Sequence, residues 1–312
     1  GPTELSAAAF GNSLFFLILV IGLGPCMGIS PLVAQAQGER DEVKSVHFLH
    51  MGVRLAILVG IVLTVLTFGL SWMVEHLPHK NPEVLPLAKQ YLQIVNLSTV
   101  PLMIFLAYRH FVEGFSWMIP GMLVMGFVVV LNIFLNWIMI YGNWGFPALG
   151  LAGGAWATVI SRTVGMFIMI WIVAASPGFK KYNPLNFFAK NHFPSMKEVM
   201  KIGLPTGFQL FFEVGSFTGA LFMAGLIGKI DQSAHQIAIG LASFTYMVYA
   251  GISASVSIRV GGAFGKKNMK EVREMGIAGL TLGLAFFAVF FVLLFSLRNI
   301  FPVMFIRPGE EE

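Results

Sequence analysis

The sequence predicts an all-α integral membrane protein, a polytopic helical bundle made of two pseudo-repeat lobes, and three observations predict it. Hydrophobic residues make up 56% of the 312 and charged residues only 11%, with a mean hydropathy of +0.78, whereas a soluble domain solvates its surface with about 25% charged residues. Apolar runs of the roughly 20 residues needed to cross the hydrocarbon core recur eight times. The chain also aligns with itself at a constant offset. Together these exclude a soluble enzyme or a nucleic-acid binder.

The runs fall at 10–35, 46–74, 85–107, 119–141, 148–175, 196–227, 233–264 and 275–301. Pro25, Pro31, Pro101 and Pro205 interrupt them, which a bundle tolerates when neighbouring helices satisfy the freed backbone groups. Transmembrane β-strands would alternate polar and apolar residues, and these runs do not. The opening Gly1-Pro2-Thr3-Glu4 lacks an initiator Met, a basic segment and a small-residue cleavage site, so the first run reads as a mid-protein span and not a signal peptide. The longest loop, 176–195, is rich in Pro, Gly, Asn and Lys and divides an N-terminal lobe (1–175) from the start of a C-terminal lobe (196–312). Within it, 182–190 reads as a plain linker or as an amphipathic surface segment.

Basic residues assign the orientation. Alternate loops place Arg40, Lys44, Arg109, the lysines from Lys180 to Lys201, and Lys266 to Arg273 on one side, twelve in all, against five on the other. The positive-inside rule puts the richer side, with the 176–195 loop, in the cytoplasm. The net charge of +5 is thus a topology signal, and the expected setting is the bacterial inner (plasma) membrane.

At an offset of 227, Gly1, Ala7, Gly24, Ser30, Val33, Ala36 and Gly38 meet identical residues, from Gly228 to Gly265. This pairs the first run with the seventh, and both run toward the cytoplasm. Internal repeats are common in transporters. The sixth run has no partner before residue 1, and completing the second half requires three more spans, so the expected parent has twelve helices, about eight present here. The ending Arg307-Pro308-Gly309-Glu310-Glu311-Glu312 fits neither a span nor a loop partner.

Among 15 acids, Glu213 alone lies near the middle of a span. An ionisable group there is costly unless paired, hydrated or protonated, so its default reading is functional: a carboxyl that trades a proton or a cation. The alternative is a neutral carboxylic acid bonded across helices. Asn132 and Asn136 are four apart and share a helix face, able to coordinate Na⁺ or bind substrate, or to act as interhelical glue. Arg162, near Thr158, calls for an acid; the choices are Glu213, an acid outside the segment, or snorkelling. His235-Gln236 reads as an interfacial structural pair, and His47 with His50 lacks a third metal ligand. The lone Cys26 excludes disulfides within the chain. No Walker A pattern occurs, so an ion gradient, Na⁺ or H⁺, is the expected energy source and no cofactor is expected.

Lys201-Ile202-Gly203-Leu204-Pro205, Phe211-Phe212-Glu213, Ala234-His235-Gln236-Ile237-Ala238 and Ile258-Arg259-Val260-Gly261 resemble the seventh and eighth helices of multidrug and toxic compound extrusion (MATE) transporters of the NorM-like branch. Arg109-His110-Phe111 with Glu113-Gly114, Asn132 to Asn136, Tyr141-Gly142, Pro147-Ala148-Leu149-Gly150 and Ala157-Thr158 are similar to the fourth to sixth. The resemblance implies a two-lobe antiporter, a non-enzyme, that expels small amphiphilic cations. It assigns Glu213 to cation coupling in the C-lobe and Asn132, Asn136 and Thr158 to an N-lobe cation site, with Arg162, His235, Gln236 and Arg259 as secondary candidates. It makes residues 1–175 the family's helices two to six and 196–312 the start of seven to nine, and it implies a monomer. The family's first-helix aspartate and tenth-helix acid are absent, so the segment alone is expected to be transport-incompetent. Two other readings stand beside antiport: a lipid-linked saccharide flippase, and a non-transporting membrane structural protein.

Overall fold

The computed structural model describes residues 2–74, 83–182, 184–185 and 192–297. Among them the chain is helical throughout, as the composition required, and forms two compact units, Gly1–Phe211 and Phe212–Glu312. Six helices, and a seventh span if one bent pair is counted, are long and apolar enough to cross a membrane.

In the first unit, α1 (Pro2–Met27) and α2 (Ile29–Glu39) form one span, Thr3–Glu39. Gly28 joins them, its N–H still bonded to the Gly24 carbonyl at 3.1 Å. Arg40 ends α2 in the left-handed conformation (φ 57°), and the Asp41 carboxylate accepts the Lys44 N–H at 2.8 Å, capping α3 (Glu42–Val74).

The third apolar run differs from a single straight helix. It forms α4 (Val84–Asn96) and α5 (Thr99–Gly114), bent by 42°. Pro101 has no N–H to continue α4 but is tolerated in the first turn of α5. The Asn96 amide donates to the Thr64 carbonyl at 2.9 Å and its oxygen accepts the Thr99 hydroxyl at 3.1 Å. The bend leaves Ser98 between the two helices, with consequences for the site.

α6 (Ile119–Tyr141) and α7 (Gly150–Ala175) make the closest pair. A Cβ on Gly153 would stand 2.4 Å from the Met139 carbonyl oxygen, an approach open only to glycine and typical of membrane helix packing. Gly142 ends α6 at φ 73°, where a side chain would be strained. One face of α6 exposes Met122, Leu123 and Val130, and Trp137 and Trp144 pack edge-on at its end, 6.1 Å apart, as interfacial aromatics do.

The loop after α7 is anchored. A short helix, α8 (Pro177–Lys180), places Phe179 and Tyr182 against Phe111 and Phe115. The buried Tyr108 hydroxyl donates to the Pro184 carbonyl at 2.6 Å, and Lys181 pairs with Glu42. The amphipathic reading of 182–190 falls mostly outside the described residues, as do Lys80, Lys190, Arg298 and the terminal Arg307–Glu312 segment.

α9 (Phe193–Ile227) contains the division between units. Its first half crosses α1 through four glycines: a Cβ on Gly24 would lie 2.2 Å from the Gly207 nitrogen and 2.3 Å from the Gly203 oxygen. α9 is 35 residues long and carries Gln209 and Glu213. The second unit adds α10 (Lys229–Gly265) and α11 (Met269–Ser296). The Asn268 side chain accepts the Glu271 N–H at 3.2 Å and starts α11 as an N-cap.

Candidate functional site

Most of the interior of the first unit is apolar, but the bend in α4–α5 and the α6–α7 pair leave a cavity of about 360 Å³. One wall carries Asn12, Tyr91, Asn132, Thr158, Ser161 and Arg162; Leu102, Phe105, Met125, Val128, Val129 and Ile133 form the rest.

The polar wall follows from helical spacing. Asn132 and Asn136 share a face of α6, and Thr158, Ser161 and Arg162 share a face of α7. The Asn132 amide donates to Thr158 Oγ1 at 3.4 Å and to Ser161 Oγ at 3.3 Å, while its oxygen accepts from Asn136 at 3.2 Å. The two hydroxyls donate back into α7, Thr158 to the Gly154 carbonyl and Ser161 to the Thr158 carbonyl, each at 3.1 Å. One acceptor is left over: Asn136 Oδ1 is buried with no partner among the described residues.

Arg162 meets no acid among the described residues lining this cavity. Its Nη1 donates to Ser98 Oγ at 2.8 Å, its guanidinium lies over the Phe15 ring at 5.5 Å, and it stands within electrostatic reach of Tyr91. Ser98 relays the bond, donating to the Val95 carbonyl at 2.6 Å. A neutral hydroxyl and an aromatic face thus stabilise the charge, and no acid lines the cavity among the described residues. Sequence reading missed Ser98, Tyr91, Asn12 and Ser161. Only Ser161 had a signal, three residues after Thr158 on the Arg162 face; Ser98 depends on a bend visible only in three dimensions.

Glu213, His235, Gln236 and Arg259 lie in the second unit. Glu213 is half-buried on α9 and acts electrostatically on Tyr246 of α10. His235 keeps a buried Nε2 with no partner among the described residues, while Gln236 and Arg259 are exposed. A groove of about 710 Å³ runs between α10 and α11 beside Tyr249, Ser253, Ser257, Gly276 and Gly279; none of the four candidates lines it.

Near the basic end of α5, Glu113 is 8% exposed, held by Arg109 Nε at 2.7 Å and His110 Nδ1 at 2.8 Å. A Cβ on Gly114 would meet Val33 at 2.7 Å. The Arg109–Gly114 motif is thus a packing and ion-pair element. His47 stacks on His192 at 4.0 Å, and His192 Nδ1 meets Ser195 Oγ at 2.8 Å.

The MatE family model matches residues 1–138 and 205–311. The chain belongs to the MatE family. It is 34% identical over 292 residues to a probable multidrug resistance protein NorM of Rhizobium meliloti (strain 1021), covering 93% of this chain and 62% of that protein. It is 30% identical over 283 residues to the multidrug resistance protein NorM of Aliivibrio fischeri (strain ATCC 700601 / ES114), covering 90% and 61%. The chain therefore spans a little over three-fifths of the length of these relatives. Its fold matches the eukaryotic MATE transporter AtDTX14 with a TM-score of 0.87 at 20% identity, over 99% of this chain and 68% of that one. An outward-facing multidrug resistance MATE family transporter of the MOP superfamily matches at 0.85 and 18%, over 98% and 67%. MatE membership and the apolar helices make the chain part of a multi-pass membrane protein.

Proposed function

We propose that this chain serves secondary active efflux of small amphiphilic, cationic multidrug substrates across the bacterial inner membrane, by antiport of Na⁺ or H⁺, as a monomer with the 176–195 loop in the cytoplasm. The observation that carries the reading is the 34% identity to a probable multidrug resistance protein along 93% of the chain. The self-bonded polar wall in an otherwise greasy cavity supports it, because such a site holds amphiphiles through shape and a few polar groups.

Glu213 is the coupling carboxyl of this scheme. A lone acid on a membrane helix binds a proton or a cation at different cost in two conformations, and that difference biases alternating access. Asn132, Asn136 and Thr158 form the first unit's cation site, where the unpartnered Asn136 oxygen supplies a ligand. His235, Gln236 and Arg259 have secondary roles. A lipid-linked saccharide flippase fits less well, since Arg162 is the lone charged residue lining the cavity among the described residues and a pyrophosphate calls for several cations.

The test is ethidium export by the complete protein in efflux-deficient cells with an imposed Na⁺ or pH gradient, comparing wild type with Glu213→Gln. Gradient-driven export in the wild type and its loss in the variant are expected. Unchanged export in the variant would remove Glu213 from the coupling role.

A further inference from the structure

We infer that His192 and His47 form an acid-released latch, which pins the first turn of α9 to α3 while both imidazoles are neutral and frees it when they take up protons. The latch does not depend on what the protein exports.

The first turn of a helix presents backbone N–H groups that need acceptors. For α3 the acceptor is the Asp41 carboxylate; for α9 it is an imidazole. His192 immediately precedes Phe193, the first residue of α9, and its Nδ1 accepts the Ser195 N–H at 3.4 Å, the bond of an N-cap to the third helical residue. The Ser195 hydroxyl lies 2.8 Å from the same nitrogen, and Ser195 is buried. A ring nitrogen that accepts a backbone N–H carries a lone pair there and not a proton. The network therefore assigns His192 as neutral, with its hydrogen on Nε2 and the serine hydroxyl as a second donor to Nδ1.

The same ring is stacked on α3. His47 lies parallel to it, with centroids 4.0 Å and planes 7° apart, and the His192 backbone N–H reaches Met51 Sδ at 3.4 Å. His47 and Met51 are one turn apart on one face, so the residue before α9 is held at two levels of α3. A little further along α9, a Cβ on Gly28 would stand 3.1 Å from the Val199 carbonyl oxygen. That contact is indifferent to protons, so acid acts on the first turn of α9 and spares the glycine crossing beyond it.

A proton on His192 Nδ1 removes the acceptor from Ser195 and places a positive charge at the positive end of the α9 dipole. A second proton, on His47, sets like charges about 4 Å apart. The neighbouring charges give this pair little relief. His50 and Asp41 act on His47 from its own helix, Arg54 follows on the same face of α3, and Asp41 already serves as the α3 cap. Glu39 pairs with Lys44, Glu42 with Lys181, and Glu113 with Arg109 and His110. Lys197 and Glu198 of α9 are exposed.

Amide hydrogen exchange, read by mass spectrometry on the purified complete protein, tests the latch. Loss of a cap together with a like-charge contact corresponds to about 10-fold in the opening of the turn. Between about pH 7.5 and about pH 5.5, on either side of the ordinary histidine range, exchange across residues 193–199, corrected for the intrinsic rate, should therefore rise about 10-fold in wild type. Residues 42–46, whose helix start is capped by a carboxylate, should not change. His192→Asn supplies an N-cap that does not titrate and should keep its protection at both pH values, while His47→Phe keeps a ring on the stack without a charge and should reduce the rise. A wild-type rise that is absent, that is equal in the two segments, or that persists undiminished in either variant overturns the inference. The comparison of the two helix starts within wild type decides the matter even where a variant fails to fold.

Discussion

Gly153→Ala tests whether the α6–α7 contact holds the polar wall together. The added Cβ would stand 2.4 Å from the Met139 carbonyl oxygen and 2.6 Å from its carbon. Both atoms are backbone, so no side chain can swing away. Ordinary contact begins at 3.4 Å, and the helices must therefore part by about 1 Å locally. Overpacking of that kind costs about 1–3 kcal/mol. The same displacement lengthens the bonds from Asn132 to Thr158 and Ser161, already 3.4 and 3.3 Å, and interhelical polar bonds in membranes are worth about 0.6 kcal/mol each. The sum, about 2–4 kcal/mol, corresponds to a fall in melting temperature of about 5–10 °C by the scaling for domains of similar size. The reporter is built in: Cys26 is the single cysteine and is 1% exposed, so a fluorogenic maleimide reacts with it only as the bundle opens. Gly126→Ala is the control, on the same helix but with nothing within 4 Å of the added Cβ; helix propensity predicts it to melt no lower than wild type. If Gly153→Ala melts together with Gly126→Ala, the close approach of α6 and α7 does not secure the site.

Other perturbations separate packing from chemistry. Asn136→Leu removes a buried unpartnered acceptor at the loss of one bond to Asn132, so the Cys26 melt should hold or rise while Na⁺ or H⁺ dependence of export is lost; a fall of several degrees would show that the oxygen has a structural partner. Tyr108→Phe leaves the Pro184 carbonyl without its 2.6 Å donor, a loss of about 1–2 kcal/mol that should speed tryptic cleavage after Lys180 and Lys181 several-fold, read by gel. The exposed Lys181–Glu42 pair holds the Lys181 ammonium above its usual pKa through the hydrogen bond to Glu42. Its contribution is complete below the ordinary lysine pKa and fades as pH rises through the higher folded value. Lys181→Met should therefore melt with wild type at pH 8 within about 1–2 °C, since such exposed pairs contribute little; a larger fall would mean the pair anchors the loop.

How much of this was legible depended on the kind of signal. Helix positions came from continuous apolar runs, and α6 has the bounds the sequence suggested because a turn glycine, Gly142, closes it. The break at 97–98 was not legible as a bend. Pro101 marked an interruption, but the angle depends on Asn96 bridging to Thr64 of α3 and to Thr99, a tertiary contact with no local pattern. Likewise Gly203 carried a family resemblance without showing that Gly24 of α1 is its partner. Glycine reports that something comes close, and only the fold says what.

The site shows the same division more sharply. Asn132 and Asn136 were paired by helical spacing, which makes i and i+4 neighbours, whereas Thr158 came from the family resemblance; the structure bonds the three together. Arg162 was singled out as a charge in a span, and among the described residues its bonded partner is the Ser98 hydroxyl. The expectation that a buried arginine seeks an acid holds when the protein alone must satisfy it. Here a bend supplies Ser98, an aromatic ring lies over the guanidinium, and the residue lines a cavity.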